Sequence, residues 1–308
     1  MTLMIDPDRA LLDNSVWFSR LESMALTEVS GVDNKRFLQG QLSCNVLKLD
    51  HTHSLRGALC NLKGRVIADV RLLQVADTVL MLSRVDLQEK IVGTLNKYRV
   101  FFKTALADVN TKYSVFGIGG VGIEAVVSGL GINLPQDSDH CSCHQDVVFI
   151  KMPATTIFNV PRFLVVCACD SEQAVVLSQH LQHALVEVPD ILWSLADIRT
   201  GQAHPDLSQS ELFTPQLLNY DINGVIDFKK GCYTGQEIVA RMFYKADAKR
   251  RLYYSSTVHG VGNSGNGDSD AASEDVVATV KFSDGTHESL MIFNCEQAAL
   301  MQSVRELI

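Results

Sequence analysis

Apolar residues along this chain change period repeatedly, and each change predicts an element. In RVDLQEKIVGTLNKYRV, Leu87, Ile91, Leu95 and Tyr98 recur at three- and four-residue spacing, which predicts an amphipathic helix. Phe37, Leu38, Gln41 and Leu42 keep the same period after the turn-like GVDN and predict another. HSLRGALCNLKGRVIADVRLLQV reads as two strands joined by NLKG, DTVLMLS as a third, and KTALADVNTKYSVFGIGG as a return to strand. YSVFGIGGVGIEAVVSGLGI suggests a strand and a short helix, and RFLVVCACD a strand. SEQAVVLSQHLQHAL is a helix opened by a serine cap, and PDILWSLADIRTGQAHP a helix that stops at TG before a proline. Beyond Arg250 the pattern is short strands around turns such as SDGT, separated by the glycine- and acid-rich HGVGNSGNGDSDAASED, expected to be a flexible loop. Mixed strands and helices followed by a small all-β end predict an α+β chain of more than one domain, as 308 residues also suggest.

Composition narrows the class. Hydrophobic residues are 46% and charged residues 20%, a foldable balance. No apolar run is long enough to span a bilayer, and MTLMIDPDRALLDNS has acids where an export signal would have an apolar core. The expectation is a cytoplasmic protein without membrane contact. A net charge of -8 argues against a chain whose main task is gripping a nucleic-acid backbone. The local exception, KADAKRRLYY, reads as a solvated linker with an aromatic strand behind it. The 8 cysteines are too many and too irregular for a disulfide framework in that compartment. HCSCH lies in a polar, turn-rich stretch and CAC in a strand-like run, both with spacing too tight for a zinc knuckle, so no metal site is expected.

The stretch that carries chemistry is KKGCYTGQE, Lys229 to Glu237. NGVIDF before it reads as a turn and a short strand. TGQE matches a capping box, with Thr234 as cap and Glu237 reaching back, so a helix is expected from about Gly235 through Arg241. Cys232 would then stand just before a helix N-terminus, beside Lys229 and Lys230, where dipole and cations favour a thiolate. Gly231 and Gly235 would allow close approach. Nucleophilic, redox or soft-metal chemistry fits, and so does an inert cysteine buried at a tight turn.

FTPQLLNYDINGVIDFKKGCYTGQEIVAR closely resembles the signature of the YgfZ family of folate-binding proteins, relatives of the glycine-cleavage T-protein. VSGVDNKRFLQGQLSCNV, IRTGQAHP and ATVKFSDG are similar to further family stretches, so the resemblance spans essentially the whole chain. It implies two interleaved α+β domains over 1–245, one of them ferredoxin-like, and a small C-terminal β-barrel over 246–308, around a folate-sized cavity. It implies tetrahydrofolate as ligand and iron–sulfur proteins or their assembly machinery as partners, among them enzymes that methylthiolate tRNA. Cys232 carries over as the functional thiol, with Lys230, Gly231, Tyr233, Thr234, Gly235, Gln236, Glu237 and Arg241 as motif support. Lys229, Gln39, Gln41 and Asp69 are candidates for the folate cavity, with Lys229, Lys230 and Arg241 as cations for the folate tail. Where T-proteins carry a paired acid, GRVIADV has Ala68 then Asp69, and RFLVVCACD offers no equivalent of a later pterin-gripping acid. Asp69 therefore reads as a strand-end residue. Aminomethyl transfer and a non-catalytic interaction scaffold stand as the alternatives.

Overall fold

The computed structural model describes residues 2–5, 10–245, 248–256, 275–299 and 304–307. Its strands form sheets of five, six and five strands. The chain opens with β1 (Thr2–Ile5), α1 (Ala10–Asn14) and β2 (Trp17–Arg20). Both strands are lent to sheets built by later segments.

The first unit runs β3 (Met24–Ser30), α2 (Asn34–Gln39), β4 (Leu55–Cys60), β5 (Val66–Val75), β6 (Thr78–Arg84), α3 (Gln88–Arg99) and β7 (Ala105–Asp108). Its sheet order is β4-β5-β6-β3-β7. Without the edge strand β4 this is a β-α-β-β-α-β ferredoxin-like unit. The period-two alternation decides which face meets what. On β6, Val79 and Met81 join the cluster under the helices with Ile91 and Leu95, and Leu80 and Leu82 face the central core. Both faces are covered, which is why β5 and β6 read as near-continuous apolar runs.

The second unit repeats the plan: β8 (Tyr113–Gly119), α4 (Ile123–Ser128), β9 (Cys141–His144), β10 (Val147–Lys151), β11 (Arg162–Ala168), α5 (Glu172–Ala184) and β12 (Val186–Glu187). Its order is β12-β2-β8-β11-β10-β9. β2, from ahead of the first unit, is wedged into this sheet, and that is the interleaving. Apart from β2 and the edge strand β9, this unit follows the same β-α-β-β-α-β plan, with β2 inserted between its first and last strands. HCSCH is strand rather than turn, with Cys143 opposite Val148.

The third sheet comes from β13 (Arg250–Ser256), β14 (Val276–Phe282), β15 (His287–Asn294) and β16 (Val304–Arg305), with α8 (Cys295–Ala298) after β15. Its order is β1-β14-β15-β13-β16, and β1 pairs parallel with β14, so residues 2–5 join the sheet of the C-terminal segment. SDGT closes the β14–β15 hairpin with Gly285 at φ 81. The loop expected over HGVGNSGNGDSDAASED falls almost wholly outside the described residues.

Between the sheets runs α6 (Asp190–Arg199), packed on β2, β14 and β15. Trp193 meets Trp17 edge-on at 6.1 Å between ring centroids. A Cβ at position 117 would lie 2.1 Å from the Trp193 ring, so the FGIGG strand must be glycine there. At its C-terminal end Arg199 grips Glu288 of β15 through Nε (2.8 Å) and Nη2 (2.9 Å), and the Tyr254 hydroxyl donates to the same carboxylate. After α6 the chain crosses back over the first unit to α7 (Gln236–Lys245). Among the described residues no helix is long and apolar enough to cross a membrane.

Candidate functional site

Two separate places carry chemistry. The first is a central cleft between β3, α6, the 202–209 segment and β14. Met24, Arg84, Asp197 and His204 line it and also line a small adjoining cavity that reaches Asp69 and Arg71. Asp69 is inside β5, opposite Ala58 of β4, rather than at a strand end. Its Oδ2 lies 2.6 Å from Nδ1 of His204. A carboxylate only accepts, so Nδ1 carries the proton. Burial works against the Asp69 charge, but His204 and Arg56 outweigh it and hold the carboxyl below its ordinary range. The network continues: His204 Nε2 is 3.7 Å from Asp197 Oδ2, and Asp197 Oδ1 accepts from Arg162 Nη1 at 2.7 Å. Thr200 Oγ1 lies 2.6 Å from Arg162 Nη2.

IRTGQAHP stood out in the sequence, but His204 and Gln202 within it and Asp197 just before it did not. No local signal could have found them, because His204 finds its partner 135 positions away. Gln202 is buried and lines the cleft; its Nε2 donates to Thr200 O, but Oε1 has no partner.

The second place is the Cys232 segment. Cys232 is exposed, so the inert buried reading does not hold. It lies in irregular chain just ahead of α7, which starts at Gln236. The helix is entered through Gly235 at φ 83. The Thr234 hydroxyl is turned to Gln41 Oε1 (3.3 Å) and its N–H to Gly40 O (3.2 Å), so it pins the segment to the end of α2 instead of forming the expected capping box. NGVIDF makes no strand; Asp227 N–H bonds Ser43 O in an irregular crossing.

Lys230 is not poised beside the thiol or a ligand. Its side chain is buried, Nζ donates to Gln39 O (2.7 Å) and Leu42 O, and it stands 5.0 Å over the Tyr233 ring. Burial lowers its pKa to about 8, opposed by Cys44 and Asp227. Gln39 is spent on Val46 N–H and Asn45, and Gln41 on Thr234. Lys229, Gly231, Glu237 and Arg241 are exposed, and Tyr233 is buried. Of the candidate residues, then, Gln39, Gln41, Lys230 and Thr234 come together around the motif, and Asp69 alone faces the central cavities. Neither of those cavities is lined by Cys232, Lys229 or Arg241. Burial pushes the neighbouring Cys44 and Cys60 thiols up to about 12, which keeps them protonated. The basic-aromatic stretch near Arg250 is strand β13, with Tyr253 and Tyr254 buried and Arg251 paired to Asp221. Among the described residues no three His, Cys, Asp or Glu side chains converge as a metal ion would require.

No protein-family model matches the chain. Among solved structures, it superposes on the glycine cleavage system aminomethyltransferase T of Bartonella henselae with a TM-score of 0.66, over 94% of this chain and 81% of that one. At 14% identity this likeness shows the fold alone. The chain is 31% identical over 237 residues to the tRNA-modifying protein YgfZ of Sodalis glossinidius, covering 76% of this chain and 69% of that protein. It is 32% identical over 238 residues to the protein of the same name from Cronobacter sakazakii, with the same coverage. The motif KKGCYTGQE, held at the surface by the end of α2, and these relatives agree: the chain belongs to the YgfZ family.

Proposed function

We propose that this protein is a folate-binding accessory factor that supports assembly or repair of iron–sulfur clusters in enzymes, including enzymes that modify tRNA. Tetrahydrofolate is its ligand in the central cleft and Cys232 its working thiol. The observation that carries the folate half is Gln202, a buried side chain that lines the cleft and whose Oε1 has no protein partner. A buried acceptor left unmade costs about 1–3 kcal/mol. A ligand rich in N–H donors, as a pterin is, would satisfy it. Arg84, paired with Asp86 through Nε and Nη2 at 3.1 Å each, is the cation lining the cleft for an anionic tail, a part the sequence suggested for Lys229, Lys230 and Arg241.

Aminomethyl transfer is the weaker reading. The one acid that remains, Asp69, is held by His204 and tied through it to Asp197 and Arg162. For the thiol, exposure and freedom from a disulfide support ligation of iron or exchange with another thiol. Titration calorimetry with tetrahydrofolate tests the ligand: saturable heat at one site supports the reading. No heat at millimolar ligand removes it and favours an interaction scaffold.

A further inference from the structure

The exposed Cys232 lies in the segment between Phe228 and α7, which a group of large apolar side chains in water flanks. Leu47 is 65% exposed, Leu62 77%, Phe243 39% and Tyr244 68%. They belong to one neighbourhood. A Cβ on Gly64, two residues past Leu62, would touch Ile238 of α7, and one on Gly235 would meet Asn61 O. Lys48, next to Leu47, bridges Asp227, and Phe228 stacks on Phe243 at 3.8 Å. Single exposed apolar residues need no explanation, but a cluster marks an interaction surface.

We propose that this face docks an acidic segment of a partner protein, with Leu62 and Tyr244 as apolar anchors and Lys63, Lys229 and Arg241 as the matching rim. The inference rests on the accessory-factor reading and names how its client is held. Charge selects the occupant. Lys63, Lys229 and Arg241 are exposed on a chain of net charge -8; of the acids beside them, Asp227 is paired with Lys48 and Glu211 with Lys90, which leaves the exposed Glu237 against three cations. A second copy of this chain is disfavoured, because a two-fold interface would set these cations against themselves. RNA is disfavoured because base stacking needs free aromatic faces. Phe228 and Phe243 stack on each other at an interplanar angle of 17°, Leu47 and Leu62 have no ring, and Tyr244, edge-on to both phenylalanines, is a single exposed ring where strand binding stacks successive bases. A small molecule is disfavoured because neither central cavity reaches Cys232.

The test measures binding of immobilised protein to a purified, cluster-loaded tRNA methylthiotransferase and, separately, to bulk tRNA. Leu62→Asp and Tyr244→Ala are compared with Val121→Asp, an equally exposed apolar residue on the second unit. The expected result is enzyme binding that weakens with salt, falls at least about tenfold in Leu62→Asp and Tyr244→Ala, and is kept in Val121→Asp, with unfolding midpoints unchanged. Absent enzyme binding, equal binding by all variants, or binding of tRNA alone overturns the proposal. Complementation with Cys232→Ala separates this from the broader reading. If that variant still abolishes methylthiolation while Leu62→Asp and Tyr244→Ala support it fully, the docking face is wrong and the accessory role stands. If Cys232→Ala has no effect, both fall.

Discussion

Lys230 Nζ donates to the carbonyl oxygen of Gln39, 2.7 Å away, so the lysine of the motif is an internal fastener between α2 and the Cys232 segment. Its folded pKa of about 8 lies below the ordinary 10.5. The unfolded chain therefore binds more protons between those values, and the penalty for burying the charge is full below about pH 8 and relieved as pH rises to 10.5. Lys230→Ala leaves the Gln39 and Leu42 carbonyls without this donor and should cost about 1–3 kcal/mol at neutral pH. The stability gap between wild type and this variant should widen from pH 8 to 10.5, measured by urea unfolding. A gap independent of pH would place the lysine in water.

Gly235 enters α7 at φ 83, and a Cβ there would stand 2.4 Å from Asn61 O. Gly235→Ala should destabilise by at least about 1–2 kcal/mol from backbone conformation alone. Clash with the backbone adds to that and should loosen the Cys232 segment, seen as faster proteolysis within 229–235. An unchanged denaturation midpoint would count against this entry geometry.

Arg162 is fully buried against Asp197, so Arg162→Ala strands a carboxylate in the interior. The expected loss is about 3–5 kcal/mol in chemical denaturation. The double variant Arg162→Met with Asp197→Leu should recover much of it, since a buried pair replaced by apolar groups is often neutral.

Gln202→Leu separates ligand binding from stability. Without ligand the variant should stay within about 1 kcal/mol of wild type, because removing the unpartnered acceptor offsets loss of the Nε2 bond to Thr200 O. Its gain in melting temperature with tetrahydrofolate should shrink, since stabilisation follows affinity. Equal gains in both proteins would take Gln202 out of the ligand site.

Much of the fold was legible in local patterns. Leu87, Ile91 and Leu95 mark the buried stripe of α3, and Ser171 caps α5 by accepting from Ala174 N–H. Chemistry between distant segments was not legible. The helix read through Gln41 and Leu42 stops at Gln39, and Leu42 instead bridges Leu59. Periodicity registers the apolar positions but not that Gly40 N–H already closes the turn onto Phe37 O. The capping box failed because Gln41, from another element, captures the Thr234 hydroxyl. Asp69 looked like a strand end because its partner His204 is far along the chain, and β1 could not be assigned to β14 from either sequence alone. The exposed Cys232 was the part of the site that the motif itself made visible.

The most direct measurement is complementation of a deletion strain with Cys232→Ala and Cys232→Ser, scored by the methylthiolated fraction of tRNA alongside an unrelated cluster-dependent enzyme. The account predicts that both readouts fall together while tRNA abundance and the level of the variant protein stay normal. Full methylthiolation with either variant would contradict it.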